Sequence, residues 1–241
     1  MQKRVAKDIN NIITPSKNSL KDISVDLNVN QKNINVINNG LDIDTFIPYK
    51  NIKRDPFRLI TTASADVALK GLDYSLKSLA ILSKTFPEIS LLVIGQLKKD
   101  GHTSRLIEEL GIGARIIFKT GLTKEEIAKE YASSSIAIVS SLYEGFGYPV
   151  IEAMSCEVPL IATNTSSIPE LVGDFATLIP PMNENDLSEA IKNILTNFKK
   201  YKKIAESGRH HIIENFNWLK ITQEYEDMIY KTIQDFNNAN L

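Results

Sequence analysis

Residues 135–154 read SIAIVSSLYEGFGYPVIEAM, and this stretch decides the fold. Its first part, IAIV, is a short apolar run that stops at two serines, which is typical of a strand buried on both faces of a parallel sheet. Two glycines then leave a turn free of side chains, and Pro149 favours the first turn of a helix starting near Tyr148. The stretch therefore predicts a strand, a glycine-rich turn and a helix. The turn lies at the carboxyl end of the strand, where open α/β sheets bind ligands.

Two carboxylates flank this turn, Glu144 before it and Glu152 inside the predicted helix. The unpaired N–H groups at the start of that helix favour a phosphate. Carboxylates accept hydrogen bonds from the adjacent hydroxyls of a sugar. The pattern therefore indicates a site for a sugar joined to a nucleotide through diphosphate. The alternative is a pair of surface charges beside an ordinary turn, and spacing alone does not decide between the two.

Outside this stretch, short apolar runs alternate with longer amphipathic segments, which favours βα repeats and an open parallel sheet with helices on both faces. The other predicted strands are RLITTA (58–63), ISLLVIG (89–95), RIIFKT (115–120), PLIAT (159–163) and ATLIP (176–180). Helices are predicted at 72–84, 104–111 and 124–134, and from Asn183 onward the pattern is helical throughout. Before them, a strand at 11–16, a helix at 19–29 and a strand at 33–40 lead into a linker.

The composition favours a globular protein. The chain has 241 residues, 43% of them hydrophobic, and a net charge of −1, so no basic surplus indicates a nucleic-acid surface. One cysteine and three histidines argue against a disulfide framework or a Cys/His metal site. No run approaches the about 18 apolar residues of a membrane span, and Asp8, Asn10 and Asn11 interrupt any signal peptide. We therefore expect a cytoplasmic protein without a cofactor.

The Glu-Gly-Phe-Gly turn followed by Pro-Val-Ile-Glu-Ala-Met resembles the signature of retaining nucleotide-sugar glycosyltransferases of the GT-B fold, specifically glycosyltransferase family 4 (group 1). The resemblance covers nearly the whole chain. It is carried by ITPSKNSLKDI (13–23), INVINNGLDIDTFIP (34–48), LKGLDYSLKSLA (69–80), GLTKEEIAKEYASSSIAIVSSLYEGFG (121–147), PLIATNTSSIPELVGDFATLIPP (159–181) and NFNW (215–218).

The resemblance implies a role for each matching residue. Lys70 would neutralise the leaving diphosphate, and Glu144 would bind hydroxyls of the donor sugar; these two are the candidate catalytic residues. Glu152 would bind the ribose hydroxyls, and the sugar and diphosphate would face the backbone of Gly145, Phe146, Gly147 and Tyr148. No obligatory metal is implied. A solvated lysine at a helix start is the alternative for Lys70.

The resemblance also implies a division of the chain. Residues 1–48 would be the end of an acceptor-side domain and the linker, residues 49–216 the Rossmann-like nucleotide-sugar-binding domain, and residues 217–241 a helix that packs back on the first domain. The expected activity is transfer of a hexose from a nucleoside-diphosphate sugar to a hydroxyl acceptor, a glycan or a lipid, with retention. The alternative is a catalytically silent donor-binding module that needs a separate acceptor-domain chain. Any peripheral membrane contact would come mainly from the acceptor-side domain.

Two positions depart from the family pattern. Ala65 stands where the family usually has an arginine, five residues before the lysine, so Thr62 and Ser64 are candidate replacement donors. Glu157 stands where a glycine is usual in the turn after the signature helix, which affects the turn more than the site.

Other features have simpler interpretations. Asp42-x-Asp44 imitates a metal motif of a different glycosyltransferase fold, but Asp44 is expected to bond nearby backbone instead. Cys156 is expected to be a buried apolar residue and His102 a surface histidine in a loop. His210 and His211 are predicted on a late helix, where each is either structural or exposed. The last helix is predicted to contribute apolar side chains either to the core or to a contact with another domain: Trp218, Ile221, Tyr225, Met228, Ile229 and Ile233.

Overall fold

The computed structural model describes residues 5, 6 and 8–239. Its strands are β1 (Ile12–Thr14), β2 (Ile34–Val36), β3 (Arg58–Thr62), β4 (Ser90–Ile94), β5 (Ile116–Lys119), β6 (Ile136–Val139), β7 (Leu160–Thr163) and β8 (Thr177–Ile179). Its helices of five residues or more from Ile12 onward are α1 (Lys17–Leu27), α2 (Leu72–Leu82), α3 (His102–Glu109), α4 (Lys124–Ser133), α5 (Tyr148–Ser155), α6 (Ile168–Val172), α7 (Glu184–Thr196), α8 (Phe198–Asn215) and α9 (Trp218–Ala239). Residues 1–4, 7, 240 and 241 belong to the terminal parts of the expected division and lie outside the described residues.

Six strands form one parallel sheet in the order β5-β4-β3-β6-β7-β8. All six predicted strands of this sheet are confirmed, and each is one to three residues shorter than predicted, the largest difference being SIAIVSS (135–141), observed as Ile136–Val139. The strand order reverses direction between β3 and β6, which are hydrogen-bonded neighbours. The loops that leave their carboxyl ends therefore diverge and open a crevice at this point, where doubly wound sheets bind ligands.

Alternate residues of the strands enter two separate cores. Leu59 and Ile136 pack with α2, α3 and α7 on one face. Ile60 and Ala137 pack with α4, α5, α6 and α8 on the other. The sequence 72–84 places Leu72, Leu76, Leu79 and Leu82 near one face of the predicted helix, and the structure confirms this face, since all four are buried in α2. This arrangement confirms the α/β fold class, a parallel sheet covered by helices on both faces.

The residues before the linker form a separate small unit. Strands β1 and β2 pair in parallel, with Ile12 opposite Ile34, and α1 packs beside them. The predicted strand, helix and strand are thus confirmed. Ser16 caps α1 by accepting a hydrogen bond from the backbone N–H of Ser19, as expected for a serine before a helix.

The start of the last helix, α9, contacts the linker at Gly40 and Leu41. Leu41 donates its backbone N–H to Phe216 O at 2.7 Å, and Trp218 lies so close to Gly40 that any larger residue there would overlap its ring. Ile221 is buried, whereas Trp218, Ile229 and Ile233 are each about half exposed, so these three do not join a core of the described chain. Across the described residues, the helices are too short or too polar to cross a membrane.

Candidate functional site

Lys70 and Glu144 meet at the crevice between β3 and β6. Lys70 ends a short 3₁₀ turn, Ala68–Lys70, in the loop after β3, and Glu144 lies in the loop after β6. The Lys70 Nζ lies 2.7 Å from Glu144 Oε1. Gly71 fixes the lysine loop because its φ is +61° and a Cβ there would overlap the carbonyl oxygen of Ser140. The two loops are therefore locked together, and the two candidate catalytic residues form an ion pair.

Glu144 is held by serines that the sequence analysis did not single out. Ser141 Oγ donates to Glu144 Oε1 at 2.7 Å. The backbone N–H of Glu144 donates to Ser166 Oγ at 2.9 Å, and Ser167 Oγ lies 2.8 Å from Glu144 O and 2.6 Å from Phe146 O. Glu144 is buried, so Ser141 and Lys70 compensate for the water that its carboxylate has lost, while Ser166 and Ser167 hold the backbone of the turn. The signal available in the sequence was the cluster of serines at the ends of two predicted strands.

The glycine turn has two different glycines. Gly147 has φ +111° and precedes α5, so it supplies a backbone conformation that other residues rarely adopt. A Cβ on Gly145 would meet only Ser19 Oγ, at 3.9 Å, so this position leaves open space above the backbone. The Phe146 side chain is buried and packs on Tyr148 and Phe216. The side chain of Phe146 therefore belongs to the core, and only the backbone is left for the role that the resemblance implies.

Glu152 lies within α5, one turn after Tyr148, and is partly buried; no ion pair to it occurs among the described residues. Its Oε2 lies 3.4 Å from the hydroxyl of Tyr131. Burial raises the pKa of Glu152 to about 7, because desolvation outweighs the opposing effects of the Tyr131 hydrogen bond and the Lys124 charge. The site thus contains one carboxylate in an ion pair and a second whose ionisation depends on pH near neutrality.

Comparison with known proteins identifies the family. Residues 44–211 match the family described as Glycosyl transferases group 1, which is well over half of the chain. The chain belongs to this family. It is 34% identical over 236 residues to the MMP alpha-(1->4)-mannosyltransferase of Mycolicibacterium hassiacum, covering 97% of this chain and 57% of that protein.

Solved structures share the fold of this group 1 chain. Sucrose-phosphate synthase from Thermosynechococcus elongatus superposes with a TM-score of 0.83 at 23% identity, over 97% of this chain and 61% of the other. Anabaena HepE in complex with UDP and glucose superposes with a TM-score of 0.82 at 20% identity, over 95% of this chain and 66% of the other. These are GT-B neighbours, and the chain spans about half to three fifths of the curated relatives' length.

The small unit of the group 1 chain touches the signature turn directly. Ser16 Oγ and Ser19 Oγ donate to Gly145 O at 2.8 and 3.0 Å. At the start of α1, the backbone N–H groups of Lys17 and Asn18 donate to the Glu170 carboxylate at 3.0 and 3.2 Å. The segment before the linker therefore orients the peptide that follows Gly145, a contribution that the motif alone did not predict.

The positions that depart from the family pattern have distinct surroundings. Ala65 is buried, and Ser64 is exposed. The hydroxyl of Thr62 lies 3.1 Å from that of Tyr131, so Thr62 is already engaged by the protein. Ser64 is therefore the better placed of the two candidate donors. Glu157 has φ +54°, which explains why a glycine suits this turn.

Two of the simpler interpretations need correction. Asp42, not Asp44, bonds the nearby backbone: its carboxylate accepts from the N–H groups of Asp44 and Thr45 and from the Thr45 hydroxyl. The hydrogen bond from the Thr45 side chain is the main reason that the pKa of Asp42 is lowered. His102 is exposed as predicted, but it begins α3 instead of lying in a loop, and its Nε2 lies 2.7 Å from Asp73 Oδ2.

Cys156 and the two late histidines lie in surroundings that suggest no part in the site. Cys156 is fully buried, and burial raises its pKa above the usual range of a thiol. His211 Nε2 lies 3.1 Å from Leu171 O inside the α8 packing, whereas His210 is exposed. In the part of the chain that the structure describes, no cluster of three His, Cys, Asp or Glu could hold a metal ion.

Among the cavities of the described residues, two bear on where a ligand could bind. One of about 310 Å³ adjoins the lysine loop and is lined by Val67, Gly71, Tyr74, His102 and Leu142 among others. A larger one of about 740 Å³ is lined by residues that include Tyr49, Arg54, Phe198 and Lys202. The larger cavity lies near the amino ends of β3 and β6, since Arg54 precedes β3 and Ala132 precedes β6. Volume alone would therefore select the edge of the sheet away from the crevice.

Proposed function

We propose that this chain is the donor-binding part of a retaining glycosyltransferase of family 4. It would transfer a hexose from a nucleoside-diphosphate sugar to a hydroxyl acceptor. The observation that carries the proposal is the Lys70–Glu144 pair beside the open Gly145 turn at the strand crossover, with Glu152 on the adjoining helix. A positive charge, the start of a helix and two carboxylates then lie around the same strand crossover.

The comparisons support this proposal. The relative from Mycolicibacterium hassiacum is named a mannosyltransferase, and the structural neighbour HepE from Anabaena was solved with UDP and glucose and also with UDP-glucose. A nucleoside-diphosphate sugar in the crevice would set its diphosphate against Lys70 and the start of α5. Glu144 would then accept hydrogen bonds from the sugar and Glu152 from the ribose.

The chemical step follows from the charges. As the bond between the sugar and the diphosphate breaks, negative charge grows on the leaving phosphate. Lys70 and the N–H groups at the start of α5 stabilise that charge. The acceptor oxygen attacks the same face of the sugar, and its proton passes to the leaving phosphate, so the configuration is retained. Removing one such donor typically slows an enzyme by about 100- to 1,000-fold.

Calorimetric titration with UDP, GDP and ADP in EDTA tests the donor site. We expect one nucleotide to bind, and Lys70→Met to weaken its binding at least about tenfold, because a charge-assisted bond contributes roughly 1.5–3 kcal/mol. Lys84→Met removes an exposed charge beyond α2 and should leave the affinity unchanged. The proposal fails if the folded wild-type chain binds none of the three nucleotides.

A silent donor-binding module is the second candidate. It is favoured by the exposed apolar residues of α9, including Trp218, Leu219, Tyr230 and Ile233, which would suit a face covered by an acceptor-side domain. The expected division into residues 1–48, 49–216 and 217–241 belongs to this proposal. Hydrolysis or transfer of the bound donor by the isolated chain above the buffer background would contradict the silent module. Binding without turnover would support it.

A further inference from the structure

Tyr131 brings a hydroxyl to the Glu152 carboxylate from a different element. It lies in the last turn of α4 and is 1% exposed. Its hydroxyl oxygen is 3.1 Å from Thr62 Oγ1 on β3, 3.4 Å from Glu152 Oε2 and 3.4 Å from Pro149 O. A buried phenol that meets a strand, a helix start and a carboxylate has little freedom to turn away.

This hydroxyl stays protonated under ordinary conditions. Burial is the main reason that the pKa of Tyr131 is raised well above its usual value, and the charge of Glu152 raises it further. Thr62 can donate its own hydrogen to the phenol oxygen, which leaves the phenol hydrogen for the two acceptors at 3.4 Å, Glu152 Oε2 and Pro149 O; the charged carboxylate is the stronger acceptor. The pairing occupies one lone pair of Oε2 and leaves the other oxygen, Oε1, for a ligand.

The charged and titratable neighbours of Glu152 are few. The groups of α4 that act on it are the Tyr131 hydroxyl and the positive charge of Lys124, and it also interacts electrostatically with Tyr148 on its own helix and with Cys156 just after that helix. No ion pair to Glu152 occurs in the described part of the chain. The Tyr131 hydroxyl is therefore the neutral group that fixes the direction of this carboxylate.

We propose that Tyr131, held by Thr62, is a positioning residue that orients the Glu152 carboxylate to accept hydrogen bonds from the two adjacent hydroxyls of a ribose. The inference rests on the proposed function, because it assigns the ribose to Glu152. It adds a specificity determinant outside the signature turn: discrimination between a ribose and a sugar without the 2′ and 3′ hydroxyls depends on a residue of α4.

The experiment compares two probes on two variants. The probes are whichever of UDP, GDP and ADP binds, and its 2′,3′-dideoxy form. Tyr131→Phe keeps the ring and removes the hydroxyl. Tyr201→Phe is the matched control, because the Tyr201 hydroxyl accepts a hydrogen bond from Asn193 on the far helices α7 and α8. The wild type and the control should favour the ribonucleotide by the same factor.

Tyr131→Phe should weaken the ribonucleotide by about five- to tenfold and leave the dideoxy form nearly unchanged, since one hydrogen bond to a charged group is lost. The pH at which ribonucleotide binding is half-maximal should also rise, because the ionised carboxylate loses a donor. A variant that is merely loosened would weaken both probes equally. Equal weakening, or full discrimination retained in Tyr131→Phe, overturns the inference while leaving nucleotide binding intact.

A second variant covers failure of Tyr131→Phe to fold. Thr62→Val replaces the partner hydroxyl with a methyl group that can neither donate nor accept a hydrogen bond, which releases the phenol from β3. It should reduce discrimination in the same direction by about two- to threefold. Unchanged discrimination in Thr62→Val would then overturn the proposal. If the wild type binds a nucleotide without distinguishing the dideoxy form, the ribose role fails although the donor site stands.

Discussion

The two carboxylates of the site share one strand, turn and helix but lie in opposite surroundings. Glu144, in the turn, meets the Lys70 ammonium and the Ser141 hydroxyl, both at 2.7 Å. Glu152, on the helix, meets the neutral phenol of Tyr131, and burial raises its pKa to about 7. The spacing of eight residues places them, but neighbours from other elements decide their charge. A motif thus locates functional groups without fixing their ionisation.

The largest expected effect is on stability, from a substitution that separates the Lys70 loop from the Glu144 loop at the backbone. Gly71→Ala would force a Cβ into the carbonyl oxygen of Ser140 at a φ of +61°. The left-handed conformation and the overlap together should lower the free energy of unfolding by about 4 kcal/mol. Gly145→Ala is the control, since its Cβ would enter open space and should change stability by less than about 0.5 kcal/mol. Chemical denaturation measures both, and equal stabilities would show that the two loops are not locked.

The second largest effect concerns Glu152: the free energy of unfolding should depend on pH because this carboxylate titrates near neutrality. Burial raises the pKa of Glu152 to about 7 in the folded chain from its ordinary value of 4.5, so the folded state holds the proton more tightly. Its contribution to stability is therefore complete below about pH 4.5 and is lost as the pH rises to about 7. The loss should be roughly 3 kcal/mol.

Glu152→Gln should remove this part of the pH profile, because an amide does not titrate. Glu144→Gln is the comparison variant, and it should keep the decline between pH 4.5 and 7. Urea denaturation at several pH values measures the difference from the wild type, which cancels the titration of other groups. A wild-type profile that matches that of Glu152→Gln would contradict the raised pKa.

The smallest expected effect is the coupling free energy between Lys70 and Glu144, which tests whether the two carboxylates are independent. The Lys70 side chain is 32% exposed and that of Glu144 10%, so the ion pair is partly screened by water. A double-mutant cycle with Lys70→Met and Glu144→Gln should give a coupling of about 1 kcal/mol in stability. Glu152→Gln combined with Lys70→Met should be additive within about 0.5 kcal/mol. Strong coupling of Lys70 to Glu152 would mean that the two carboxylates are not separate environments.

The sheet could be predicted from sequence because its strands carry unbroken apolar runs. Strand β6, IAIV, is buried at every residue, and its boundary at Ser140 follows from that pattern. The start of α5 was equally predictable from Gly147 and Pro149. These features depend on local composition, so one stretch of sequence is enough to place them.

Contacts between distant segments could not be predicted in the same way. The Lys70–Glu144 pair joins residues 74 positions apart, and it forms because Gly71 lets the lysine loop approach Ser140. Tyr131 occupies the buried face of α4, where an aromatic residue normally signals packing alone. Its hydroxyl gains a role only from where β3 and α5 come to lie. The motif therefore gave the ligands of the proposed site but not the residues that orient them.

The most direct test of the account is a crystal structure of this chain with the nucleoside diphosphate that binds it. The account predicts the diphosphate against Lys70 and the backbone of residues 145–148, with the ribose hydroxyls on Glu152. The larger cavity at the other edge of the sheet, lined by Arg54 and Phe198, provides the contrary outcome. A nucleotide bound there, with the Lys70–Glu144 crevice unliganded, would contradict the proposed donor site.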